Sequence, residues 1–168
     1  VFFDLDGTLL NGESKVDAST AEAIQTLKNN GYEPFIATGR SPAETRDIME
    51  SANIHSGIFM NGQVVFYRDQ LVYSSEIPTE TVEKFHQMVK EDGYGLTAYN
   101  DKQFYLVASS PGAKDAYGFI HSNPPVLNPD FYKENPINMM LFISLPPAEE
   151  KYKVAFPNLD FLRNTPYS

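Results

Sequence analysis

The chain has 168 residues, 42% of them hydrophobic, which suffices for one domain or for a domain that carries a smaller insert. Its formal net charge of −9 argues against a nucleic-acid partner, and no apolar run approaches the roughly 18 residues of a membrane span. There is no cysteine, and the histidines, His55, His86 and His121, do not fall at metal-ligand spacing. We therefore expect a cytoplasmic protein without disulfides, in which the histidines are surface or packing residues.

The first third of the chain alternates between strand and helix patterns. Residues 1–5, VFFDL, form a continuous apolar run that is typical of a strand in a parallel sheet. Ser19 and Glu22 have the spacing of a capping box, and the helix that they begin is expected to stop near Gly31. Residues 33–37, EPFIA, are the second predicted strand. Strands separated by helices predict right-handed crossovers and a parallel sheet, and therefore an α/β fold.

A second helix is predicted over residues 42–52. Ser41 is its expected N-cap, and Glu44 completes a capping box there. Residues 57–60 follow as a third strand, and residues 64–73 have the pattern of a β-hairpin. A three-stranded parallel core with an added hairpin is the expected result.

The order of elements changes after Ile77-Pro78. Helices and closely spaced strands then predict an α+β insert on a mainly antiparallel sheet. The predicted elements are a helix ending at Gly93, strands near 94–99 and 103–108, a helix near 113–121, a strand at 137–144, a helix near 147–155 and a strand near 159–165. The insert's tyrosines at strand or helix positions, Tyr94, Tyr99, Tyr105 and Tyr117, are expected to pack rather than to line a substrate pocket.

Two carboxylates, Asp4 and Asp6, follow the first apolar run, and Thr38 follows the second strand. Ligands bind beyond the carboxyl ends of the strands in an open parallel sheet, so these side chains should share one crevice. The N–H groups at the start of the next helix favour an anion there. A nucleophilic carboxylate, a second carboxyl that moves protons and a hydroxyl near an anion describe acyl-phosphate chemistry. Gly7 would allow a sharp turn, and the alternative is that DLDGT is only a solvated turn.

These stretches resemble a known family. DLDGTLL, from Asp4, resembles the first motif of the haloacid dehalogenase (HAD) superfamily of phosphatases, and FIATGR resembles its second. The form TGR, the stretch NGQVV from Asn61 and the insert after the third strand are similar to the Cof-type sugar-phosphatase subgroup. The resemblance implies a Rossmann-like α/β core in residues 1–76 and an α+β cap of the C2 type in residues 77–168.

The resemblance also implies roles for individual residues. Asp4 would be the nucleophile that forms an aspartyl-phosphate, and Asp6 would be the general acid and base. The Asp4 carboxylate and the Asp6 main-chain carbonyl would bind Mg²⁺. Thr38 and Gly39 would bind the transferring phosphoryl group of a small phosphorylated substrate.

Two further residues have two interpretations each. Arg40 is either a substrate contact or a helix-start residue paired with Glu44 or Asp47. Asn61 either borders the substrate site or forms, with Gly62, an ordinary turn. We take the substrate-binding interpretation of Arg40 and Asn61 as the hypothesis.

The chain departs from the family pattern in one respect. The family also uses a lysine beside the phosphoryl group and a later acidic motif that completes the metal shell. The lysines Lys114, Lys133, Lys151 and Lys153 lie in the insert, and no acidic pair follows an apolar strand after it. We therefore expect that the C-terminal part of the core is absent from these residues and that the first strand lies at a sheet edge. The alternative is a fragment or degenerate relative that binds a phosphorylated ligand or a partner without turnover.

Overall fold

The structure is a computed structural model that describes residues 1–120 and 122–168, so the interpretation of His121 lies outside the described residues. The chain divides into two compact units, Val1–Ser75 and Glu76–Ser168. Among the described residues, no helix has both the length and the apolar character needed to cross a membrane.

The first unit is an α/β unit built on a single sheet. Its elements are β1 (Phe2–Phe3), α1 (Ala18–Asn29), β2 (Phe35–Ala37), α2 (Pro42–Ala52), β3 (Gly57–Phe59), β4 (Val64–Tyr67) and β5 (Gln70–Ser74). The strands lie in the order β1-β2-β3-β4-β5. The first three are parallel, and β4 and β5 add antiparallel to them. The predicted parallel core and hairpin are confirmed, and in the described part of the chain β1 pairs with β2 alone, at the sheet edge.

The β4–β5 hairpin is joined to the sheet by a polar cluster at the start of β2 and β3. Arg68 and Asp69 form the turn with φ of 49° and 63°, the left-handed values that a two-residue hairpin turn requires. Arg68 donates to the Glu33 carboxylate from Nε (3.2 Å) and Nη2 (3.0 Å), and Ser56 donates to the other oxygen (3.1 Å). Burial raises the pKa of Glu33, but the hydrogen bonds from Arg68 and Ser56 outweigh it and leave the pKa below its usual value.

Two predictions about the start of the chain are wrong. Strand β1 covers only Phe2–Phe3, because the chain turns away immediately after Asp4. Helix α1 begins at Ala18, so Ser19 lies inside the helix and does not cap it. Asp17 stands at the N-cap position, and its carboxylate accepts a hydrogen bond from the Asn11 amide (2.7 Å) instead of capping the helix.

The second unit is an α+β unit on a three-stranded antiparallel sheet, as predicted. Its elements are α3 (Thr79–Asp92), β6 (Gly95–Tyr99), β7 (Phe104–Ala108), α4 (Ala113–Phe119), α5 (Phe131–Glu134), β8 (Met139–Ile143) and α6 (Glu149–Ala155). The strand order is β7-β6-β8. The larger core contains Val82, Phe85 and Val89 of α3 packed with Leu96 and Ala98 of β6.

The residues near 159–165 do not form the predicted strand. Phe161 instead packs against Phe85 in the core of the unit, with ring centroids 6.2 Å apart.

The two histidines that the structure describes differ in burial, since His86 is 6% exposed and His55 is exposed. Tyr99 and Tyr117 are buried with their hydroxyls 3.1 Å apart, which confirms their packing role.

Candidate active site

The turn that follows β1 presents both candidate carboxylates to solvent. The N–H of Leu9 bonds to the Asp4 carbonyl (3.2 Å), and Leu5 (0% exposed) and Leu9 (4%) anchor the turn in the core. Gly7 has φ +75°, and a Cβ built there would meet no atom within 4 Å. Glycine is therefore needed at this position for its backbone conformation and not for space. Asp4 and Asp6 consequently lie exposed on a turn whose ends are fixed.

The Asp4 carboxylate is held by the backbone beside it. Its Oδ1 accepts a hydrogen bond from the Leu5 N–H at 2.8 Å. That bond orients the carboxylate and leaves Oδ2 for a ligand or an electrophile. Asp4 itself has extended backbone geometry, which continues the direction of β1.

Asp6 and Arg40 meet across the carboxyl ends of β1 and β2. Arg40 Nε donates to Asp6 Oδ2 at 3.0 Å, and Arg40 Nη2 donates to Asp6 Oδ1. The pair is bidentate, the geometry in which a guanidinium fixes a carboxylate most firmly. Its two side chains are 34% and 59% exposed, so the pair lies at the surface of the unit. Arg40 therefore pairs with neither Glu44 nor Asp47, the two acids proposed from the sequence.

Thr38 leaves the sheet at the same edge as Asp4. The register of β1 and β2 places Phe3 opposite Ile36, so the chain reaches Asp4 and Thr38 just beyond the last paired residues. Thr38 is 9% exposed. Its Oγ1 accepts a hydrogen bond from the Arg40 N–H at 3.2 Å. The hydroxyl hydrogen is therefore left to donate to a ligand.

The start of α2 is capped by its own side chains. Ser41 and Glu44 form the predicted capping box: Glu44 Oε2 accepts from the Ser41 N–H (2.8 Å), and Ser41 Oγ accepts from the Glu44 N–H (3.4 Å). The prediction that this helix start offers its N–H groups to an anion is wrong for these two groups. The carboxylate of Glu44 already occupies the position that an anion would take.

Asn61 lies against the segment that follows β2. Its N–H donates to the Thr38 carbonyl (3.4 Å), and a Cβ on Gly39 would come 3.0 Å from Asn61 Oδ1. Asn61 belongs to a short turn, Met60–Gly62, which links the antiparallel strands β3 and β4. The structure thus brings Thr38, Gly39 and Asn61 together by direct contact, and Arg40 joins this group to Asp6.

The oxygen ligands at this edge suit a hard cation, but they are few. A carboxylate oxygen of Asp4 and the main-chain carbonyl of Asp6 are the ligand types that Mg²⁺ takes. Within residues 1–120 and 122–168, no group of three or more His, Asp or Glu residues is placed to hold a metal ion. The residues therefore fit a partial Mg²⁺ site.

The lysines of the first unit do not reach this edge. Lys15 pairs with Glu13 (3.1 Å), and Lys28 donates to the Asn53 carbonyl (2.7 Å). Arg40 is therefore the cation that contacts the candidate catalytic residues in the described part of the chain. Its pairing with Asp6 was missed from the sequence, because the two residues are 34 positions apart and no local pattern joins them.

The second unit contains a cavity of about 710 Å³. Its walls include aromatic and proline side chains, among them Tyr94, Pro146 and Tyr167. Its two charged residues, Asp92 and Lys151, pair with each other at 2.7 Å. The cavity holds no pair of carboxylates, so the candidate chemistry remains at the Asp4 edge of the first unit.

The chain is similar to known proteins over nearly its whole length. The sequence profile of the haloacid dehalogenase-like hydrolases matches residues 1–165. YkrA of Bacillus subtilis is 30% identical over 164 residues, 97% of this chain and 63% of YkrA. The chain therefore spans less than two thirds of the length of this relative.

Solved structures show the same fold. A protein from Geobacillus kaustophilus superposes with a TM-score of 0.90 and 27% identity, over 99% of this chain and 65% of that protein. The HAD subclass IIB sugar phosphatase BT4131 superposes with a TM-score of 0.78 and 26% identity, over 99% of this chain and 66% of BT4131. The profile match over nearly the whole sequence and these superpositions show that the chain belongs to the haloacid dehalogenase-like hydrolases, of the Cof type.

Proposed function

We propose that this protein is a cytoplasmic, Mg²⁺-dependent phosphatase that hydrolyses small phosphorylated metabolites, sugar phosphates among them, through an aspartyl-phosphate on Asp4. The observation that carries the proposal is the placement of Asp4, Asp6 and Thr38 at one edge of the parallel sheet. BT4131, a sugar phosphatase of the same fold, supports the substrate class. We also propose that residues 77–168 are a C2-type cap and residues 1–76 the N-terminal part of the core.

Asp4 supplies the nucleophile in this proposal. Its Oδ2 attacks phosphorus while the Leu5 N–H holds Oδ1, and the bond from phosphorus to the alcohol oxygen breaks. The Asp6 carboxyl gives its proton to that leaving oxygen. Asp6 then takes a proton from water, the resulting hydroxide attacks phosphorus, and the bond from phosphorus to Asp4 breaks. Phosphate leaves, and both carboxyl groups return to their starting forms.

Thr38 and Gly39 receive the phosphoryl group. The Thr38 hydroxyl donates to a phosphoryl oxygen, because its oxygen already accepts from the Arg40 N–H. The N–H of Gly39, an exposed residue without a side chain, is the second proposed donor. Fixed donors of this kind stabilise charge that develops in the transition state.

Arg40 has two tasks in the proposal. It orients the Asp6 carboxylate through two hydrogen bonds. When Asp6 carries a proton, one of its oxygens no longer accepts from Arg40, and the released N–H turns to a substrate oxygen. A guanidinium suits that exchange, because its planar fork matches phosphate as well as carboxylate.

A bound Mg²⁺ would be held by Asp4 and by the Asp6 carbonyl, and Asn61 would border the substrate. The ion supplies neutralising charge to the phosphoryl oxygens and the nucleophile. The family's lysine and acidic metal motif are not found at this edge among the described residues. That observation favours a second candidate function, binding of a phosphorylated ligand or a partner without turnover.

Turnover of an aryl phosphate with Mg²⁺ separates the two candidate functions. Asp4→Asn is expected to abolish turnover while the fold survives, since the amide has the same volume but does not attack phosphorus. Asp47→Asn is the matched control, an exposed aspartate of α2. Residual activity of Asp4→Asn within about tenfold of the unsubstituted protein would contradict the nucleophile assignment. Absence of turnover in the unsubstituted protein with Mg²⁺ would favour the binder.

A further inference from the structure

Gly39 lies directly against the side chain of Asn61. Its backbone does not have positive φ, unlike Gly7, Gly31, Gly62 and Gly93. A Cβ at this position would lie 3.0 Å from Asn61 Oδ1 and 3.7 Å from Asn61 Cγ and Nδ2. A side chain at position 39 would therefore crowd the end of the exposed Asn61 side chain.

The backbone on both sides of Gly39 is bonded to the same turn. The Asn61 N–H donates to the Thr38 carbonyl at 3.4 Å, and the Met60 N–H donates to the Arg40 carbonyl at 3.1 Å. The two hydrogen bonds bracket Gly39, and the carboxamide of Asn61 lies on the side of Gly39 where a Cβ would project. The segment 38–40 is thus bonded at its two ends to two residues of the turn, with Asn61 against the glycine between them.

The turn itself has an uncommon backbone conformation. Met60 has φ +50° and Asn61 has φ +56°, both in the left-handed region. Asparagine is one of the residues that tolerate this region, but methionine is not, and Met60 is fully buried. Strained positions of this kind persist where the surrounding structure determines them, and they cluster at functional sites.

We propose that Asn61 is a positioning residue for phosphate binding, which acts by seating its carboxamide against Gly39 and fixing the direction of the Gly39 N–H. The proposal rests on the proposed function, in which segment 38–40 receives the phosphoryl group. It differs from the interpretation of Asn61 as a substrate contact, because the partner of Asn61 is Gly39. The contact explains why a glycine stands at position 39 without a conformational requirement.

A double-mutant cycle in the full chain tests the proposal, with inorganic phosphate binding measured by calorimetry in the presence of Mg²⁺. Gly39→Ala should weaken phosphate binding about tenfold or more, because the added methyl group meets Asn61 Oδ1 and displaces the segment. Asn61→Gly removes the carboxamide and keeps the left-handed backbone, and it should weaken binding by about threefold. The double variant Gly39→Ala/Asn61→Gly should bind within about threefold of Asn61→Gly alone, since the clash is gone.

Rescue is the result that a substrate contact would not produce. If Asn61 touched only the ligand, the two losses would multiply in the double variant, and the proposal would be wrong. Phosphate binding by Gly39→Ala within about threefold of the unsubstituted chain would also overturn it. Because binding is measured and not turnover, a cycle that shows rescue in a chain without phosphatase activity would refute the proposed function and leave this inference standing.

Discussion

The Asp6 carboxylate accepts hydrogen bonds from both Nε and Nη2 of Arg40. Lysine at position 40 would keep the positive charge but has no planar fork with which to hold both oxygens. Arg40→Lys should therefore lower kcat by roughly 10- to 150-fold, the equivalent of one charge-assisted hydrogen bond of about 1.5–3 kcal/mol. Steady-state kinetics on an aryl phosphate would measure kcat and KM separately.

Arg46→Lys is the matched control, because Arg46 is an exposed arginine of α2. A fall in kcat at nearly constant KM would indicate that Arg40 acts through Asp6. A rise in KM alone would assign Arg40 to substrate binding, and unchanged kinetics would refute both roles.

Single residues differ in how far the sequence alone locates them. Asp4, Asp6 and Thr38 were predicted at one sheet edge because each follows an apolar strand directly. The pairing of Arg40 with Asp6 was not predictable, since it joins two loops and depends on their three-dimensional approach. The contact of Asn61 with Gly39 has the same origin, because it depends on the path of the chain after β3.

At the scale of elements, the two predicted helix starts had different outcomes. The capping box of Ser41 and Glu44 is confirmed, because Pro42 at the first helical position supports the same start. The Ser19 pattern failed because the helix begins at Ala18, two residues before the start that a Ser19 cap would give, and Asp17 stands at the N-cap position. The predicted strand near 159–165 failed because strand formation needs a partner strand, which local apolar patterning does not supply.

Helix α3 is joined to β7 by a buried histidine whose protonation opposes folding. His86 Nε2 donates to the Val107 carbonyl (2.9 Å), so Nδ1 accepts from the Tyr132 hydroxyl (3.2 Å) in the neutral ring. Burial lowers the pKa of His86 from its ordinary value of 6.5. The unfolded chain therefore binds a proton at a higher pH than the folded chain does, and stability is lost as pH falls below about 6.5.

The free energy of unfolding should fall by at most about 1.4 kcal/mol per pH unit through this histidine as the pH drops below 6.5. Urea unfolding of the full chain at several pH values between about 7.5 and 5 would measure the slope. His86→Asn should be less stable at neutral pH but should lose this part of the slope. His55→Gln, at an exposed position, is the control, and an unchanged slope in His86→Asn would contradict the assignment.

At the scale of the whole molecule, the five-stranded sheet has two edge strands within the described residues, β1 and β5. Both are apolar, with Phe2 of β1 63% exposed and Val72 of β5 58% exposed. Strand β1 has two residues, whereas β5 has five, all of them exposed, and β5 contains neither proline nor a charged residue. A longer apolar edge offers more backbone groups to a second chain, so β5 should be the stronger site of self-association.

Lysine substitutions at the two edges test this expectation. A charge on an edge strand opposes pairing with another strand, so Val72→Lys should keep the 168-residue chain monomeric at concentrations at which the unsubstituted chain associates. Phe2→Lys should reduce association by less, because β1 presents only two paired residues. Sedimentation velocity over a concentration series would measure both variants. If Phe2→Lys were monomeric while Val72→Lys still associated, the edge of β1, next to the candidate active site, would instead be the site of self-association.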